Sequence, residues 1–367
     1  MKRIRNISAL VLALVMILTL AACGGNTGGS NSGDTGAQSG SSNAAPAPAQ
    51  SGDETVYNIT IGGTVPDDHP ISQGLFKFKE VAEELSGGRF KVEVYDNNTI
   101  GASRELVEGV QANEIQMAEC SQSVYASFTD ELISVGLPFL FKNRQAGYAF
   151  FDSEVGDQIA DVIADQTGVR IVGYFENGIR QLTNSKRPVT SPDDMKGLKI
   201  RVMESPLYIE MFTEMGANPS PMAFSELYTA LQQGTVDGQD NPWTIVSTNA
   251  FYEVQAYATD LSHTFDITCF AINDEFYQSL PDDLREVVDK AADAAVETNR
   301  TLSIELENEY IATIEGGGCQ ITYLTDEQRQ VFRDATAGCY DWFRQNYNPT
   351  VSLETVMAKA DEVNAAN

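Results

Sequence analysis

The chain has 367 residues, with 24 basic and 52 acidic side chains and a formal charge of −28 at pH 7. So acidic a surface repels nucleic acid and anionic lipid headgroups, which excludes both as direct partners. The part from residue 55 onward is about 310 residues long. This is more than one hydrophobic core usually serves, so we predict two lobes.

The first 22 residues are typical of an export signal. Three basic residues precede an apolar run over residues 7–20, which is short for a membrane span, and small residues then lead into Cys23. This pattern resembles the bacterial lipoprotein box, in which the cysteine carries lipid and becomes the mature N-terminus. We therefore predict a signal peptide over residues 1–22 and a protein lipid-anchored to the outer face of the cell membrane, or periplasmic. A plain cleaved signal with an incidental cysteine is the alternative.

Residues 23–54 are predicted to be the lipidated cysteine and a flexible tether. Between residues 24 and 53 the chain contains Gly, Ser, Asn, Ala and Pro but no aromatic or large aliphatic residue, so it cannot bury a core. A Gly-rich chain of this length has a root-mean-square reach of roughly 30 Å. We expect the folded part to lie close to a membrane without embedding in it.

From residue 56 the pattern alternates between strand and helix. Strands are predicted over residues 56–61, 89–95, 115–120 and 169–175, and helices over residues 71–85, 103–113 and around 145–165. Beyond them, strands are predicted over residues 179–183, 198–202, 217–219, 236–239 and 266–272, and helices over residues 205–215 and 225–233. Such a run predicts an α/β fold with mostly parallel sheets.

Residues 282–315 are helical in composition. At 1.5 Å per residue this helix is about 50 Å long, longer than one lobe, so we expect it to bridge both lobes. Lobe I is predicted to consist of residues 55–177 and 267–306, and lobe II of residues 178–266 and 307–367.

Four cysteines follow the predicted lipidation site: Cys120, Cys269, Cys319 and Cys339. They show neither a Cys-X-X-Cys motif nor a metal-type Cys/His spacing, so no metal site is predicted. A disulfide is permitted outside the cell, and Cys319–Cys339 is the candidate pair, worth about 3 kcal/mol by loop closure. Four buried free thiols are the alternative.

A lone arginine in a short apolar strand is the first candidate for ligand binding. Burying the guanidinium of Arg201 without an anion is costly, so we expect it to leave the strand toward a cleft. There it can hold a carboxylate through two parallel hydrogen bonds. Arg180 and Asn177 lie at the predicted crossing between lobes, where ligands commonly bind. The alternatives are a salt bridge for each arginine and a turn cap for Asn177.

Six further residues are candidates for contact with a ligand. Gln239 and Asn241 are predicted at a tight turn that ends a strand, where an amide can bridge to a ligand oxygen, and Trp243 and Phe224 offer apolar walls or belong to the core. Glu119 interrupts an apolar strand; it can accept a hydrogen bond from a ligand hydroxyl or ammonium, or pair with an internal arginine. His69 stands at a helix start, where it touches the ligand or caps the helix.

Catalytic motifs are missing from the sequence. There are two histidines, and no GxSxG, HExxH, Walker loop or strand-linked GxGxxG motif. We therefore predict a binding protein that is not an enzyme and needs no cofactor. A secreted hydrolase with an acidic site is the alternative.

Several segments resemble the DctP-type solute-binding proteins of tripartite ATP-independent periplasmic (TRAP) transporters. They cover residues 67–70, 136–141, 178–189, 193–202, 215–242 and 251–259, and the similarity runs in order through residues 55–360. It implies a periplasmic-binding-protein-like fold that clamps a small organic acid between lobes. It also implies a partner made of small and large membrane subunits and driven by a sodium gradient. A binding protein of an ATP-driven importer is the alternative, and a monomer is expected.

The resemblance also implies roles for particular residues. It places the carboxylate-binding arginine on Arg201 and further ligand contacts on Arg180, Asn241 and Phe224. Glu119 matches a ligand-facing acid of the sialate-binding members. Those members carry an arginine three residues further on, where this chain has Gln122, and this departure argues against sialate.

Overall fold

The computed structural model describes residues 55–367. The predicted signal peptide, the lipidation site Cys23 and the tether lie outside the described residues, so these remain predictions. Within the described range, no helix combines the length and the apolar composition that crossing a membrane requires.

Residues 55–367 form ten strands in chain order, named β1 to β10. They are β1 (Tyr57–Gly62), β2 (Phe90–Tyr95), β3 (Met117–Ser121), β4 (Val169–Asn184), β5 (Lys199–Val202), β6 (Asn218–Pro221), β7 (Gly238–Pro242), β8 (Tyr257–Asp260), β9 (Phe265–Asn273) and β10 (Gln320–Tyr323). The predicted strands are present, with ends shifted by up to three residues and with two of them merged into β4. β8 and β10 were not predicted; they pair with each other, and β8 also pairs with the far end of β4.

The same residues form fourteen α-helices, named α1 to α14. They are α1 (Pro70–Leu85), α2 (Ser103–Gln111), α3 (Arg144–Phe151), α4 (Glu154–Thr167), α5 (Pro192–Met195), α6 (Pro206–Glu214), α7 (Leu227–Gln232), α8 (Trp243–Thr248), α9 (Asp274–Ser279), α10 (Asp282–Glu305), α11 (Glu307–Gly316), α12 (Asp326–Ala335), α13 (Gly338–Asn346) and α14 (Leu353–Ala366). The single helix predicted around residues 145–165 is two helices, because Ser153 caps the start of α4.

The strands follow the order β2-β1-β3-β9-β4-β7-β5-β6, and β8 joins β4 and carries β10. Five of the nine pairings are parallel, and the four antiparallel ones all involve β4 or β9. The predicted two-lobe α/β architecture is confirmed. Its sheets are mixed rather than mostly parallel, because these two long strands run against their neighbours.

A single strand passes from one lobe to the other. β4 pairs with β9 up to Ile179 and with β7 from Arg180 to Asn184. The sequence predicted two strands here, with a turn at Asn177. That turn is absent because the ladder with β9 continues through this point, and the irregularity is a bulge between Glu176 and Gly178. Gly178 has φ +129°, a backbone conformation that side-chain-bearing residues rarely adopt.

The predicted bridging helix is broken. α10 and α11 meet at Leu306, whose φ of −93° and ψ of −6° end the first helix and begin the second. α10 packs against α1 and β4, whereas α11 packs against α8. The segment therefore contacts elements on both sides of the crossing strand, as two helices in place of one. The predicted lobe boundaries remain predictions.

The described residues bury two hydrophobic cores. Alternate residues of the central strands enter different cores: Cys120 and Cys269 enter one, and Met117 and Phe270 enter the other. Strands buried on both faces explain the long apolar runs in the sequence.

The predicted disulfide is wrong. The four cysteines of the described part are free and buried. Cys319 packs in one core and Cys339 in the other, where the Cys339 thiol donates to Glu214 at 3.0 Å. The two thiols are therefore held apart by the packing of their own elements, and the alternative of four free thiols is correct.

His69 caps α1: its Nδ1 accepts a hydrogen bond from the backbone N–H of Ile71 at 3.1 Å. The ring is fully buried, and burial lowers its pKa to about 3. It does not line the cavity described below, so the cap is its observed role and the ligand contact remains a prediction.

This burial predicts a pH dependence. In the unfolded chain a histidine gains its proton near pH 6.5, but folded His69 resists until about pH 3. Stability is therefore lost as pH falls through this window, by up to about 1.4 kcal/mol per pH unit. His69→Asn keeps a capping side chain without the titration. Urea unfolding between pH 7 and 4 should show a steeper loss for the wild type, and equal slopes would contradict the assignment.

Candidate ligand-binding site

A cavity lies beside the crossing of β4 and encloses about 840 Å³, open solvent at its mouth included. The loop between β1 and α1 lines it from one lobe, together with β3 and β9. From the other lobe it is lined by β5, the segment between β6 and α7, and β7. Five of its lining residues are charged: Arg104, Glu119, Arg180, Arg201 and Glu204.

Arg201 lines the cavity from β5 and is only 2% exposed. Its Nε and Nη2 donate to the backbone carbonyl of Met222 at 2.9 and 2.7 Å. Within residues 55–367, no carboxylate lies within 4.0 Å of this guanidinium, and its Nη1 donates to no protein atom. The structure therefore contradicts the alternative that Arg201 forms a salt bridge.

Burial and a neighbouring arginine determine the electrostatic surroundings of Arg201. Burial lowers its pKa to about 10, and the charge of Arg180 acts in the same direction, opposed by Asp240 and Glu204. The group is still protonated at neutral pH. A buried cation whose direction is fixed by one carbonyl thus lines a cavity in which no carboxylate of the described residues forms an ion pair with it.

Arg180 also lines the cavity, but its charge is already compensated. Its Nε donates to Asp240 and its Nη1 to Asp266, both at 2.6 Å, and Nη2 donates to the Asp240 carbonyl. Its guanidinium carbon lies 5.5 Å from the ring centre of Tyr208. These contacts fit the structural ion pair considered as the alternative, and direct ligand binding by Arg180 remains a prediction.

The two aspartates of this ion pair are fully buried. Burial raises the pKa of both, but for Asp240 the Arg180 charge and a 3.2 Å contact with His263 outweigh it, and the pKa falls below its usual range. For Asp266 burial prevails and the pKa is raised. Burial would lower the pKa of Arg180, but the two carboxylates outweigh it and raise that pKa. Asn177 donates to Asp266 at 2.7 Å and so belongs to the same network.

Gln239 and Asn241 lie within β7, so the predicted tight turn is wrong. The error arises because β7 pairs with the far end of β4, a long-range partner that the local turn-like sequence does not reveal. Asn241 lines the cavity, and its Nδ2 donates to Oε1 of Gln239. The Nε2 of Gln239 donates in turn to the hydroxyl of Thr183 at 2.9 Å. Gln239 does not line the cavity; it orients Asn241 from behind.

The two predicted aromatic walls differ in position. Phe224 lines the cavity, where its ring makes an edge contact with Phe251. Trp243 is 6% exposed, packs in one of the cores and is not among the lining residues. This position fits the alternative of a core residue, and its role as a ligand wall remains a prediction. As the first residue of α8, it faces inward with the apolar side of that helix.

Glu119 is fully buried on β3 and lines the cavity. One oxygen, Oε2, accepts from the backbone N–H and the hydroxyl of Thr64 at 3.2 and 3.0 Å. The other, Oε1, has no hydrogen-bond partner among the described residues. Burial raises its pKa, and the hydrogen bonds from Thr64 act against this. Of the predicted roles, pairing with an internal arginine is the one that the structure contradicts.

Sequence reasoning missed Asp240, Asp266, His263 and Thr268 as members or supports of this site. An acid inside an apolar strand is the signal that could have found Asp266, which lies in β9. No group of three or more His, Cys, Asp or Glu residues suited to a metal ion occurs in the described part of the chain.

A two-lobed α/β fold whose lobes together line a cation-bearing cavity is typical of solute-binding proteins. The chain belongs to the DctP family, bacterial extracellular solute-binding protein family 7, whose profile matches residues 61–346. The predicted membership of the TRAP solute-binding proteins is thereby confirmed. Members of this family are extracytoplasmic binding proteins rather than enzymes, and they work with TRAP membrane subunits.

Similar proteins bind organic acids. The 2,3-diketo-L-gulonate-binding periplasmic protein YiaO of Escherichia coli is 31% identical over 259 residues, which are 71% of this chain and 78% of that protein. The sugar acid binding protein DctPAm from Advenella mimigardefordensis, solved with galactonate, has a TM-score of 0.81 and 29% identity, covering 85% of this chain and 100% of that one. A TRAP periplasmic solute-binding protein from Shewanella oneidensis, solved with succinate, has a TM-score of 0.79 and 30% identity, covering 84% and 99%.

Proposed function

We propose that this protein captures a small organic acid in the cavity between its lobes and delivers it to the small and large subunits of a TRAP transporter. The observation that carries this proposal is the guanidinium of Arg201, buried and turned into the cavity without a carboxylate. Arg180, which is equally buried, has two carboxylates of its own. The difference between the two arginines is the argument for an incoming anion.

The geometry suits a carboxylate. The carbonyl of Met222 holds Nε and Nη2 of Arg201, so the orientation of the guanidinium is set before the ligand arrives. An anion that accepts from the remaining N–H groups forms charge-assisted hydrogen bonds in a site of low polarity, where they are strong. Asn241 can add an amide contact, and Phe224 an apolar wall. Galactonate and succinate, the acids bound by the two similar structures, indicate the size range to test.

Delivery and anchoring complete the proposal. Cys23 would carry the lipid, and the Gly-rich tether would let the folded part reach a sodium-driven membrane partner. Sequence patterns alone support this part. Uptake of a bound acid into vesicles that contain the cognate membrane subunits should require both this protein and an inward sodium gradient. Uptake driven by ATP without a sodium gradient would overturn the sodium coupling.

Thermal unfolding with a panel of organic acids and neutral sugars tests the binding function. A ligand at one hundred times its dissociation constant stabilises the folded state by about 2.7 kcal/mol. We expect melting to shift upward with one or more of the carboxylates, and not with the neutral alditols of the same carbon number. A shift with a neutral sugar and none with any acid would overturn the proposal.

A further inference from the structure

We propose that a groove between α4 and α10 is a docking site for a positively charged, partly apolar segment of another protein. The groove encloses about 1240 Å³, open solvent at its mouth included, and shares no lining residue with the ligand cavity. The inference is therefore separate from the proposed function, and either can fail without the other.

The floor of the groove is a free edge of the sheet. Residues 171–174 of β4 form it, and from Val169 to Ile179 this strand pairs with β9 alone. Such an edge presents backbone N–H and C=O groups to an incoming chain. The register shift between Ile171 and Gly173 limits regular pairing to a few residues, so a partner must gain most of its affinity from side-chain contacts.

Side chains of α10 cover the same edge a few residues further on. Asn299 accepts from the backbone N–H of Glu176 at 2.7 Å and donates to its C=O at 3.1 Å, as a residue of a neighbouring strand would. Arg300 donates to the C=O of Tyr174 at 3.2 Å. Among residues 55–367, no side chain bonds to the backbone of residues 171–173. The edge is thus left open inside the groove, where a partner can reach it.

Apolar side chains line the walls of the groove. α10 contributes Val296 and Ile304, α3 contributes Phe151, and α4 contributes Ala160. Ile304 is 46% exposed, and Val296 and Ala160 are half-buried. Single exposed apolar residues are common, but an apolar surface bordered by polar residues is typical of protein–protein interaction sites.

Both rims of the groove are acidic. Asp157 of α4 lies on one side, and Asp293 and Glu297 of α10 lie on the other. All three are exposed, and none forms an ion pair within the described part of the chain. Asp152 also lines the groove, but Arg300 compensates its charge through hydrogen bonds of 2.6 and 2.8 Å. The rims therefore attract Lys and Arg side chains and repel a second copy of this chain, whose formal charge is −28.

A segment that combines basic and apolar side chains suits all three features of the groove. Its Lys or Arg side chains meet the carboxylates of the rims, and its apolar side chains remove Ile304 and Val296 from water. Its backbone reaches the open edge of β4. A small polyamine would use the carboxylates alone, and an acidic segment would be repelled.

Fluorescence anisotropy of a labelled nine-residue peptide of lysine and valine, titrated with the full chain, tests the inference. We expect saturable binding that is at least tenfold tighter than that of a matched peptide in which serine replaces valine. Spermine should compete at least tenfold less effectively than the unlabelled peptide. Equal affinity for all three would show a site for any small cation and would overturn the inference. A dissociation constant above about 1 mM for the lysine–valine peptide would overturn it as well.

Ile304→Ser locates the apolar contact. We expect this variant to bind the lysine–valine peptide at least fivefold more weakly than the wild type does. Val331→Ser is the matched control, because Val331 is 50% exposed on α12 and lies outside the groove. The control should keep wild-type affinity, and equal losses in the two variants would contradict the inference.

Neutral rims locate the charge. Peptide binding should weaken at least tenfold in the triple variant Asp157→Asn, Asp293→Asn and Glu297→Gln. The matched control removes the same charge from exposed acids elsewhere, none of which forms an ion pair within residues 55–367, and should weaken binding less than twofold: Glu84→Gln, Glu315→Gln and Asp361→Asn. Equal losses would show that the peptide responds only to the overall charge of the protein, and the groove would not be its site.

Two further measurements complete the test. All the substituted residues are exposed, and the melting temperature shows whether each variant folds. Sedimentation without peptide should show a monomer. A wild-type dimer that Ile304→Ser converts to a monomer would mean that a second copy covers the groove, and would overturn the inference. Peptide binding decides the inference whether or not an organic acid binds in the ligand cavity.

Discussion

Replacing Arg201 with lysine is expected to weaken carboxylate binding nearly as much as replacing it with alanine. Removing one partner of a buried charge pair costs about 2–5 kcal/mol, which is a loss of roughly 30- to 5,000-fold in affinity. Lysine keeps the charge but loses the planar fork, so it cannot hold the Met222 carbonyl and a carboxylate together as Arg201 is placed to do. Calorimetric titration with the tightest acid from the thermal screen measures the loss.

The matched control for this prediction is Arg170→Lys. Arg170 pairs with Asp274 at 2.6 Å, is about one quarter exposed, and does not line the cavity. We expect its substitution to leave the affinity unchanged. Wild-type affinity in Arg201→Lys would show that the carboxylate is not held by two parallel hydrogen bonds.

Replacing Arg180 with methionine is expected to destabilise the fold by about 3–5 kcal/mol, because it leaves Asp240 and Asp266 buried without their cation. Urea unfolding at pH 7 measures this loss. The triple variant that adds Asp240→Asn and Asp266→Asn should recover much of the stability, since replacing a whole buried charge group with neutral residues is often tolerated.

The Arg180 experiment also decides between two roles. A variant that unfolds early but regains stability in the triple variant has lost a structural ion pair. A single variant of unchanged stability that binds no acid would instead make Arg180 a ligand contact, as the family resemblance implies. In that case the ion pairs of Arg180 with two carboxylates would not be its main role.

Elements whose ends are marked by nearby residues were predicted with nearly correct bounds. α1 was predicted within one residue because the apolar spacing, Pro70 and the glycines after Leu85 all mark its ends. Arg201 was predicted because a lone cation in an apolar strand needs an explanation whatever the tertiary structure. The structure agrees that this cation lacks a carboxylate, although its role in binding stays a prediction.

Long-range pairing accounts for what the sequence did not show. β4 reads as two strands with a turn, since Asn177 and Gly178 are turn residues, but β9 pairs along the whole stretch and keeps it extended. The sequence does not show that Asp240 and Asp266, among 52 acidic residues, both pair with Arg180, because they lie 60 and 86 residues away from it. The break at Leu306 is equally invisible, because no proline or glycine marks it.

β4 also bears on how the lobes can change their relative angle. The strand enters both sheets as one ribbon, and its register with β9 shifts after Ile171 and again after Glu176. We expect torsion between the lobes to be absorbed where the ladder is irregular. The second irregularity adjoins Asn177 and Arg180, which line the cavity. On this expectation the backbone that twists lies beside the proposed ligand site, so that ligand binding and the angle between the lobes would be coupled at the same few residues.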